Sequence, residues 1–238
     1  MSETRKTIAL AIPGENYSAV WLAAFLNLHN ELSRRFNVVP VMGYSSNVYA
    51  TRARILQAMV ETDENVIQLD YTLWLDDDNT LTWPQFEVML GDLDDNDSLD
   101  AVAGWTWIQP QGVSIHAMPS CGNFALDQRT VPLDLRKLVS VNAVEPDGPA
   151  IIPVDYTGFP AVLFKFEPLR LLSVLKPFSP YPAEYLELGF MGEDTGFWFR
   201  AKHAGIRLAV DRRVFVPHYK LRAAEPVSIS AANVSVID

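Results

Sequence analysis

The first hundred residues alternate short apolar runs with longer stretches in which apolar side chains recur at helical spacing. The short runs predict strands that are buried on both faces, and the longer stretches predict amphipathic helices. Strands are predicted at residues 7–13, 38–42 and 71–75, and helices at residues 18–32, from Ser46-Asn47 to Met59 or beyond, and from Trp83-Pro84 onward. Alternation of this kind is typical of an α/β protein with a mostly parallel sheet.

The pattern is less regular after residue 100. Residues 99–108 are strand-like, and residues 113–126 fit either a hairpin or an irregular excursion. Further elements are a strand at residues 161–166, a short helix opening at Pro168, a helix over residues 193–205 and a strand over residues 206–218. Gly205 is a natural helix stop, and Pro40 favours an edge position or a strand start. The prediction is a mixed, mostly parallel central sheet flanked by helices.

Composition is that of a globular protein, and it fits one large α/β domain as well as two small ones. The chain has 238 residues, of which 49% are hydrophobic, enough for one sizeable core. The single cysteine, Cys121, excludes an internal disulfide and a cysteine-rich metal site, and it favours a reducing compartment. The N-terminal apolar stretch is too short for a signal peptide, and no run is long enough to span a bilayer. The expectation is a cytoplasmic protein.

Charge argues against general nucleic-acid binding. The formal net charge is −10, whereas such binding depends on neutralising phosphates. Acids dominate residues 87–100, and seven bases stand against one acid in residues 200–222. The two segments are explained either as solvated faces or, for the second, as a basic surface that attracts an anionic substrate.

The sharpest chemical signal is the run YTLWLDDDNTL at residues 71–81, where an apolar strand ends in Asp76, Asp77 and Asp78. Ligands of open α/β sheets gather at the carboxyl ends of the strands. In an extended segment Asp76 and Asp78 point to the same side, where two hard carboxylates can hold Mg²⁺ or Mn²⁺. The alternative is a turn or helix cap, which Asp and Asn also favour.

Two further candidate features follow the acid run later in the chain. Glu193 and Asp194 open the predicted helix after Gly192, and His218 follows the last predicted strand. Each has an ordinary explanation, since acids complement a helix dipole and a single histidine is usually a packed or surface residue. The chain nevertheless contains all three features in one order: acids at a strand end, a Glu-Asp pair at a helix start, and a histidine after a strand.

The order of these motifs resembles the A-type (GT-A) glycosyltransferases, especially family-2-like enzymes. WLDDDNTL resembles that family's Asp-x-Asp motif, and TGFPAVLFKFEPL its Thr-Gly segment near the donor sugar. GEDTGFWFRAKHAGIRLAVDRRVFVPH matches the Glu-Asp pair and the histidine after it, and TRARILQAM resembles the helix whose arginine lies near the nucleotide. The resemblance implies a single-domain GT-A-like fold over residues 1–222. Residues 1–100 would be the nucleotide-binding half and residues 101–222 the acceptor half, followed by a C-terminal tail at 223–238.

The resemblance also implies a role for each motif residue. Asp78 and His218 would bind the metal ion. Asp76 would bind the metal directly or through water, or would contact the ribose. Asp194 is the general base, with Glu193 as the alternative base or acceptor contact. The residues implied in nucleotide-sugar binding are Pro13, Gly14, Arg54 (with Arg52 second), Asp76, Asp77 and Gly158.

The implied reaction moves a sugar from a nucleoside-diphosphate sugar to an acceptor hydroxyl, with Mn²⁺ or Mg²⁺ as cofactor. Family usage favours a UDP-sugar over a GDP-sugar, and the Glu-Asp pattern favours inversion, although retaining members exist. The Gln-x-x-Arg-Trp type of motif found in processive members is missing, which favours transfer of one sugar. The acceptor is left open between a small molecule, a glycan and a modified DNA base.

Two rival functions use the same residues. Asp76 to Thr80 also fits the Asp-x-Asp-x-Thr signature of haloacid-dehalogenase-type phosphatases. There Asp76 would be the nucleophile, Asp78 the acid/base and Asp194 a magnesium ligand. In that family the motif strand normally comes first, whereas two strand–helix units precede it here. The non-enzymatic rival is a nucleotide-binding module of the same fold without turnover.

Overall fold

The fold is known from a computed structural model, which describes residues 5–108, 118–134, 149–183 and 189–219. Five helices occur in this part of the chain: α1 (Ala19–Arg35), α2 (Val48–Asn65), α3 (Trp83–Asp94), α4 (Phe166–Ser173) and α5 (Glu193–His203). The predicted tail at 223–238 lies outside the described residues, as do residues 113–117 of the segment predicted as a hairpin or an irregular excursion.

A seven-stranded sheet forms the centre of the molecule. Its strands are β1 (Thr7–Pro13), β2 (Asn37–Gly43), β3 (Tyr71–Trp74), β4 (Ala101–Trp105), β9 (Ile151–Val154), β11 (Val162–Lys165) and β14 (Leu208–Phe215). They lie in the order β2-β1-β3-β11-β4-β14-β9. β11 pairs antiparallel with both β3 and β4, and β9 pairs antiparallel with β14. The remaining pairings are parallel, so five strands run in one direction. The predicted mixed, mostly parallel sheet flanked by helices is confirmed.

Short strands form three small sheets beside the central one. β10 (Tyr156–Thr157), β7 (Cys121–Phe124) and β8 (Thr130–Pro132) make a three-stranded sheet, while β5 (Trp107–Ile108) pairs with β6 (Met118–Pro119) and β12 (Tyr181–Pro182) with β13 (Phe190–Met191). The described part of the segment predicted as a hairpin or an irregular excursion thus contributes to two different small sheets.

Two hydrophobic clusters lie on the two faces of the sheet. Successive side chains of β1 point to opposite faces of the sheet. Ile8, Leu10 and Ile12 belong to the cluster that contains residues of α1 and α3. Ala9 and Ala11 belong to the other cluster, which contains residues of α2. Burial on both faces explains why β1 is apolar from Ile8 to Pro13. No helix among the described residues combines the length and apolar character needed to cross a membrane.

Element starts follow local chemistry. Ser18 caps α1 by accepting a hydrogen bond from the Trp21 amide, and Asn47 caps α2 in the same way from the Ala50 amide. Pro40 lies in the edge strand β2, as predicted. Two predicted helix starts are displaced: Pro84 is the second residue of α3, after the Thr82 cap, and α4 begins two residues before Pro168. Proline is tolerated throughout a first helical turn, because the amides there have no partner within the helix.

Candidate functional site

A polar cleft of about 420 Å³ opens where β1, β2 and β3 end, between the starts of α2 and α5. Parallel strands bring their carboxyl ends to one edge of a sheet, and the loops that follow those ends form the cleft walls. The lining residues are Pro13, Gly14, Glu15, Asn16, Tyr44, Ser45, Val48, Thr51, Arg52, Asp76, Asp77, Asp78 and Glu193. Five of these are acids and one is a base.

The acid run after β3 is a turn, in which the Asn79 amide donates to the Asp76 carbonyl at 3.2 Å. The prediction that Asp76 and Asp78 share one side of an extended segment is therefore wrong, because the backbone reverses at this point. All three acids still line the cleft. Each has a different partner, and repulsion among them is reduced accordingly.

Asp76 is paired with Arg52 of α2. The Arg52 Nη2 atom donates to both carboxylate oxygens of Asp76, at 2.9 and 3.1 Å. Arg52 is 4% exposed, and its guanidinium lies over the Phe159 ring at 4.4 Å. Burial raises the pKa of Asp76 to about 7; the Arg52 charge opposes this shift, and the Asp78 charge adds to it.

Asp77 holds the loop that follows β1. Its Oδ2 atom accepts a hydrogen bond from the Glu15 amide at 3.2 Å. A β-carbon on Gly14 would overlap the Asp77 side chain, so the close approach of the two segments requires glycine at this position. Burial raises the pKa of Asp77, and the neighbouring Asp78 charge raises it further.

Asp78 meets His218 across 140 residues of sequence. The His218 Nε2 atom lies 2.7 Å from Asp78 Oδ2. The segments around them are also joined by backbone, since the Tyr219 amide donates to the Asp78 carbonyl at 2.6 Å and Asn79 forms an antiparallel bridge with His218. A carboxylate and an imidazole thus converge at the cleft from opposite halves of the chain.

This pair fits a divalent cation as two protein ligands. Carboxylate oxygen and imidazole nitrogen are both donors that Mn²⁺ accepts. Across the described residues, no group of three or more His, Cys, Asp or Glu side chains is arranged to hold a metal ion. A cation bound by Asp78 and His218 would therefore complete its shell with oxygens of a bound ligand and with water, as Mg²⁺ does when it binds substrate phosphates.

The second acid pair stands at the start of α5. Glu193 lines the cleft, and burial followed by the adjacent Asp194 charge raises the pKa of Glu193. Asp194 Oδ1 accepts a hydrogen bond from the Thr195 amide at 2.6 Å, a contact that suits an acid in a first helical turn. Its Oδ2 atom lies 3.8 Å from the position of a β-carbon on Gly158. The two acids therefore have different surroundings, Glu193 facing the cleft and Asp194 approaching Gly158.

Of the predicted site residues, Arg54, Gly158, Asp194 and His218 do not line the cleft, and the others do. His218 contacts the cleft residue Asp78, and Asp194 lies close to Gly158. Arg54 is exposed and is not among the residues that line the cleft, whereas Arg52 lies inside it. Helical periodicity could have separated them, because Arg52 shares a buried stripe with Ile55, Leu56 and Met59. Several cleft residues were not predicted, namely Glu15, Asn16, Tyr44, Ser45, Val48 and Thr51. The signal for Glu15, Asn16, Tyr44 and Ser45 was their place directly after β1 and β2, and that for Val48 and Thr51 was their place in the first turn of α2.

No protein-family model matches the chain, and a comparison with curated proteins finds no match. Solved structures with a similar course of the backbone include A197 from STIV, with 14% identity and a TM-score of 0.47 over 92% of this chain and 97% of that one. GalNAc-T7, crystallised with UDP, GalNAc and Mn²⁺, has 10% identity and a TM-score of 0.49 over 95% of this chain, which spans 46% of that one. A glycosyltransferase involved in glycosylation of the major capsid of PBCV-1 has 10% identity and a TM-score of 0.35 over 71% of this chain and 66% of that one.

Proposed function

We propose that the protein is a metal-dependent glycosyltransferase that moves a sugar from a nucleoside-diphosphate sugar to an acceptor hydroxyl. The observation that carries the proposal is the 2.7 Å contact between Asp78 Oδ2 and His218 Nε2 at the rim of a polar cleft. Carboxylate oxygen and imidazole nitrogen are both donors of the kind that bind Mn²⁺. The cleft volume of about 420 Å³ is within the range typical of small-molecule sites.

Charge in the cleft supports the need for a cation. Five carboxylates and one guanidinium line it, and that guanidinium is already paired with Asp76. A diphosphate entering such a site would be repelled unless it arrived with positive charge. A divalent ion held by Asp78 and His218 would neutralise the diphosphate as it leaves the sugar. Asp76, engaged by Arg52, would contact this ion through water or contact the ribose.

The donor is assigned to the side of the cleft formed by the strand ends. The loop at Pro13 and Gly14 would lie under the base and ribose, with Asp77 holding that loop in place. Arg52 takes the electrostatic role that the sequence motif suggested for Arg54. Gly158, close to Asp194, would lie near the donor sugar. UDP is our first choice of nucleotide, with GDP second. Residues 1–100 supply most of this half of the proposed site.

Sugar transfer would proceed by attack of the acceptor hydroxyl oxygen on the anomeric carbon. A carbon–oxygen bond to the acceptor forms, the bond to the diphosphate breaks, and the hydroxyl proton passes to a carboxylate. Asp194 is the proposed base. Glu193 is the alternative, and its place on the cleft wall is the observation that speaks for it. Both acids stand at the start of α5, where Glu193 lines the cleft and Asp194 approaches Gly158.

Thermal unfolding of the protein with nucleotides tests the proposal. UDP or GDP should stabilise the fold only when Mn²⁺ is present, by about 2.7 kcal/mol at a hundredfold excess over Kd. The stabilisation should disappear in Asp78→Asn and be reduced in His218→Ala, which keeps the Asp78 carboxylate. Matched controls are Asp95→Asn, which removes an exposed acid at the end of α3, and His29→Ala, on α1. Both should retain the effect.

Other outcomes would point elsewhere. Nucleotide binding that is independent of Mn²⁺, or no nucleotide binding at all, would contradict the proposal. Hydrolysis of p-nitrophenyl phosphate that is lost in Asp76→Asn would indicate the phosphatase. Binding of UDP-sugars with Mn²⁺, but without transfer and without even slow hydrolysis of the donor, would indicate a non-catalytic module.

A further inference from the structure

Asn79 is a buried polar residue directly after the three acids. Only 3% of its surface is exposed. Its Nδ2 atom donates to the carbonyl oxygen of Pro217 at 3.2 Å, and the Thr80 amide donates to the same carbonyl at 3.3 Å. Buried amides in folded proteins are nearly always hydrogen-bonded, and here the partner is the residue directly before His218. The side chain of Asn79 therefore joins the acid turn to the histidine segment.

The histidine segment is held on both sides of His218. Before it, the Pro217 carbonyl accepts from Asn79 and Thr80; after it, the Tyr219 amide donates to the Asp78 carbonyl at 2.6 Å. The pairing is a single antiparallel bridge and not an extended ladder. A pairing this short is marginal on its own. Most hydrogen bonds between the two segments join backbone atoms and do not depend on residue type. The hydrogen bond from Asn79 depends on its amide side chain.

Geometry links this bond to the cleft. Asn79 lies next to Asp78, and Pro217 lies next to His218, so one side-chain bond fixes the relative position of both neighbours. The distance that it supports is the 2.7 Å between Asp78 Oδ2 and His218 Nε2. Groups that orient metal ligands without touching the metal commonly change affinity ten- to a hundredfold when they are removed.

We propose that Asn79 is a positioning residue for the cation site: its amide holds the Pro217 carbonyl and thereby keeps the His218 imidazole within reach of Asp78. The inference rests on the proposed function, because it assigns a role towards the cation that Asp78 and His218 would bind. The two ligands would then be brought together before the cation arrives, and binding would not have to order them. Preorganisation of this kind raises affinity by lowering the entropic cost of binding.

Titration calorimetry of Mn²⁺ into the protein with UDP present is the main test. Asn79→Ala should weaken Mn²⁺ binding about tenfold. Asn79→Leu keeps a side chain of similar volume but removes the Nδ2 donor, so it should weaken Mn²⁺ binding by a similar factor. A loss shared by both variants would not be due to the cavity that alanine leaves. The control is Thr72→Val in β3. Thr72 is buried, and its hydroxyl donates a hydrogen bond to the Met59 sulfur, which valine cannot replace. The substitution should lower stability without changing Mn²⁺ affinity.

A double-mutant cycle separates positioning from general damage. If Asn79 acts through His218, then Asn79→Ala in a His218→Ala background should weaken Mn²⁺ binding by less than about twofold. An undiminished tenfold loss in that background would overturn the inference. So would unchanged Mn²⁺ affinity in both Asn79 variants while His218→Ala binds weakly, an outcome that leaves the proposed function intact.

Amide hydrogen exchange gives a readout that needs no metal. In Asn79→Ala the amides of Thr80 and Tyr219 should exchange at least tenfold faster, while the amides of β1 should keep their wild-type rates. Unchanged exchange at Thr80 and Tyr219 would contradict the inference. If the wild-type protein does not bind Mn²⁺ even with UDP, the proposed function and this inference fall together, whatever the exchange rates are.

Discussion

Arg52 donates from a single nitrogen, Nη2, to both oxygens of Asp76, and the two side chains together form a partly buried ion pair at the floor of the cleft. The guanidinium also rests on the Phe159 ring. An arginine that is 4% exposed has lost nearly all of its hydration, which only close partners can offset. Arg54, two residues further along α2, is exposed to solvent.

Replacement of Arg52 by methionine should therefore be far more damaging than replacement of Arg54. Arg52→Met leaves the Asp76 carboxylate without its counter-ion, and we expect a loss of about 2 kcal/mol in the free energy of unfolding together with loss of Mn²⁺-dependent UDP binding. Arg54→Met is the matched control and should change stability by less than about 0.5 kcal/mol. Urea unfolding and calorimetry measure both quantities. Loss of UDP binding in Arg54→Met, with Arg52→Met unaffected, would restore the role that the sequence motif suggested.

Gly14 and Asp77 should show strong energetic coupling. Gly14→Ala places a β-carbon within the volume of the Asp77 side chain, so we expect about 1–3 kcal/mol of destabilisation and weaker nucleotide binding. In an Asp77→Gly background the overlap is removed, and Gly14→Ala should then cost less than about 1 kcal/mol.

The control for this pair is Gly91→Ala. Gly91 lies in α3, and nothing lies within 4 Å of the position that its β-carbon would take. Alanine is the better helix former, so this variant should be neutral or more stable by up to about 1 kcal/mol. An equal cost of Gly14→Ala with and without the Asp77 side chain would show that the loop is not held as described.

The two acids of α5 should separate binding from transfer. Asp194→Asn keeps the size of the side chain and its contact with the Thr195 amide, so Mn²⁺-dependent UDP binding should persist while sugar transfer falls at least a hundredfold. Glu193→Gln should have the larger effect if the cleft-facing acid takes the proton. Product formation from a UDP-sugar, measured beside UDP affinity, distinguishes them. Full transfer in both variants would remove the acid pair from the mechanism.

Stability should depend on pH through a cluster away from the cleft. Arg213 of β14 donates to Asp92 of α3 and to the fully buried Asp211. Burial raises the pKa of Asp92 to about 7, as does its hydrogen bond with Asp211. Burial opposes ionisation of Asp211 as well, but hydrogen bonds from Arg213 and Asp92 outweigh it and lower the pKa of Asp211. Below about pH 7 the pair therefore holds one proton, for which Asp92 is the preferred site.

A raised pKa in the folded state means that the fold binds this proton more tightly than the unfolded chain does. The contribution of Asp92 to stability is thus complete below pH 4 and is lost as the pH rises through about 7. Asp92→Asn removes the titration, so its unfolding free energy should fall less between pH 5 and pH 8 than that of the wild type. Gly91→Ala, which lies in the same helix and changes no ionisable group, should keep the wild-type slope. Parallel profiles for Asp92→Asn and the wild type would contradict the assignment.

Local pattern accounts for most of the elements and for the identity of the chemical groups. Apolar runs located β1, β2 and β3, and helical spacing located α1. The Ser46-Asn47 cap signal located α2, and the Gly205 stop helped to locate α5. Pro40 favoured an edge position or a strand start, and β2 is an edge strand. The acids at the end of β3 and at the start of α5 were evident from residue type alone. These features depend on neighbours in sequence, which periodicity and capping preferences describe directly.

Partner choice was decided by the tertiary structure. The sequence did not show that β11 inserts antiparallel between β3 and β4, that the acid run reverses as a turn, or that its three carboxylates face Arg52, the Gly14 loop and His218. Each of these contacts joins segments far apart along the chain. They form because burying both faces of one sheet fixes where every strand ends, and a period of two or of 3.6 residues contains no information on which ends become neighbours.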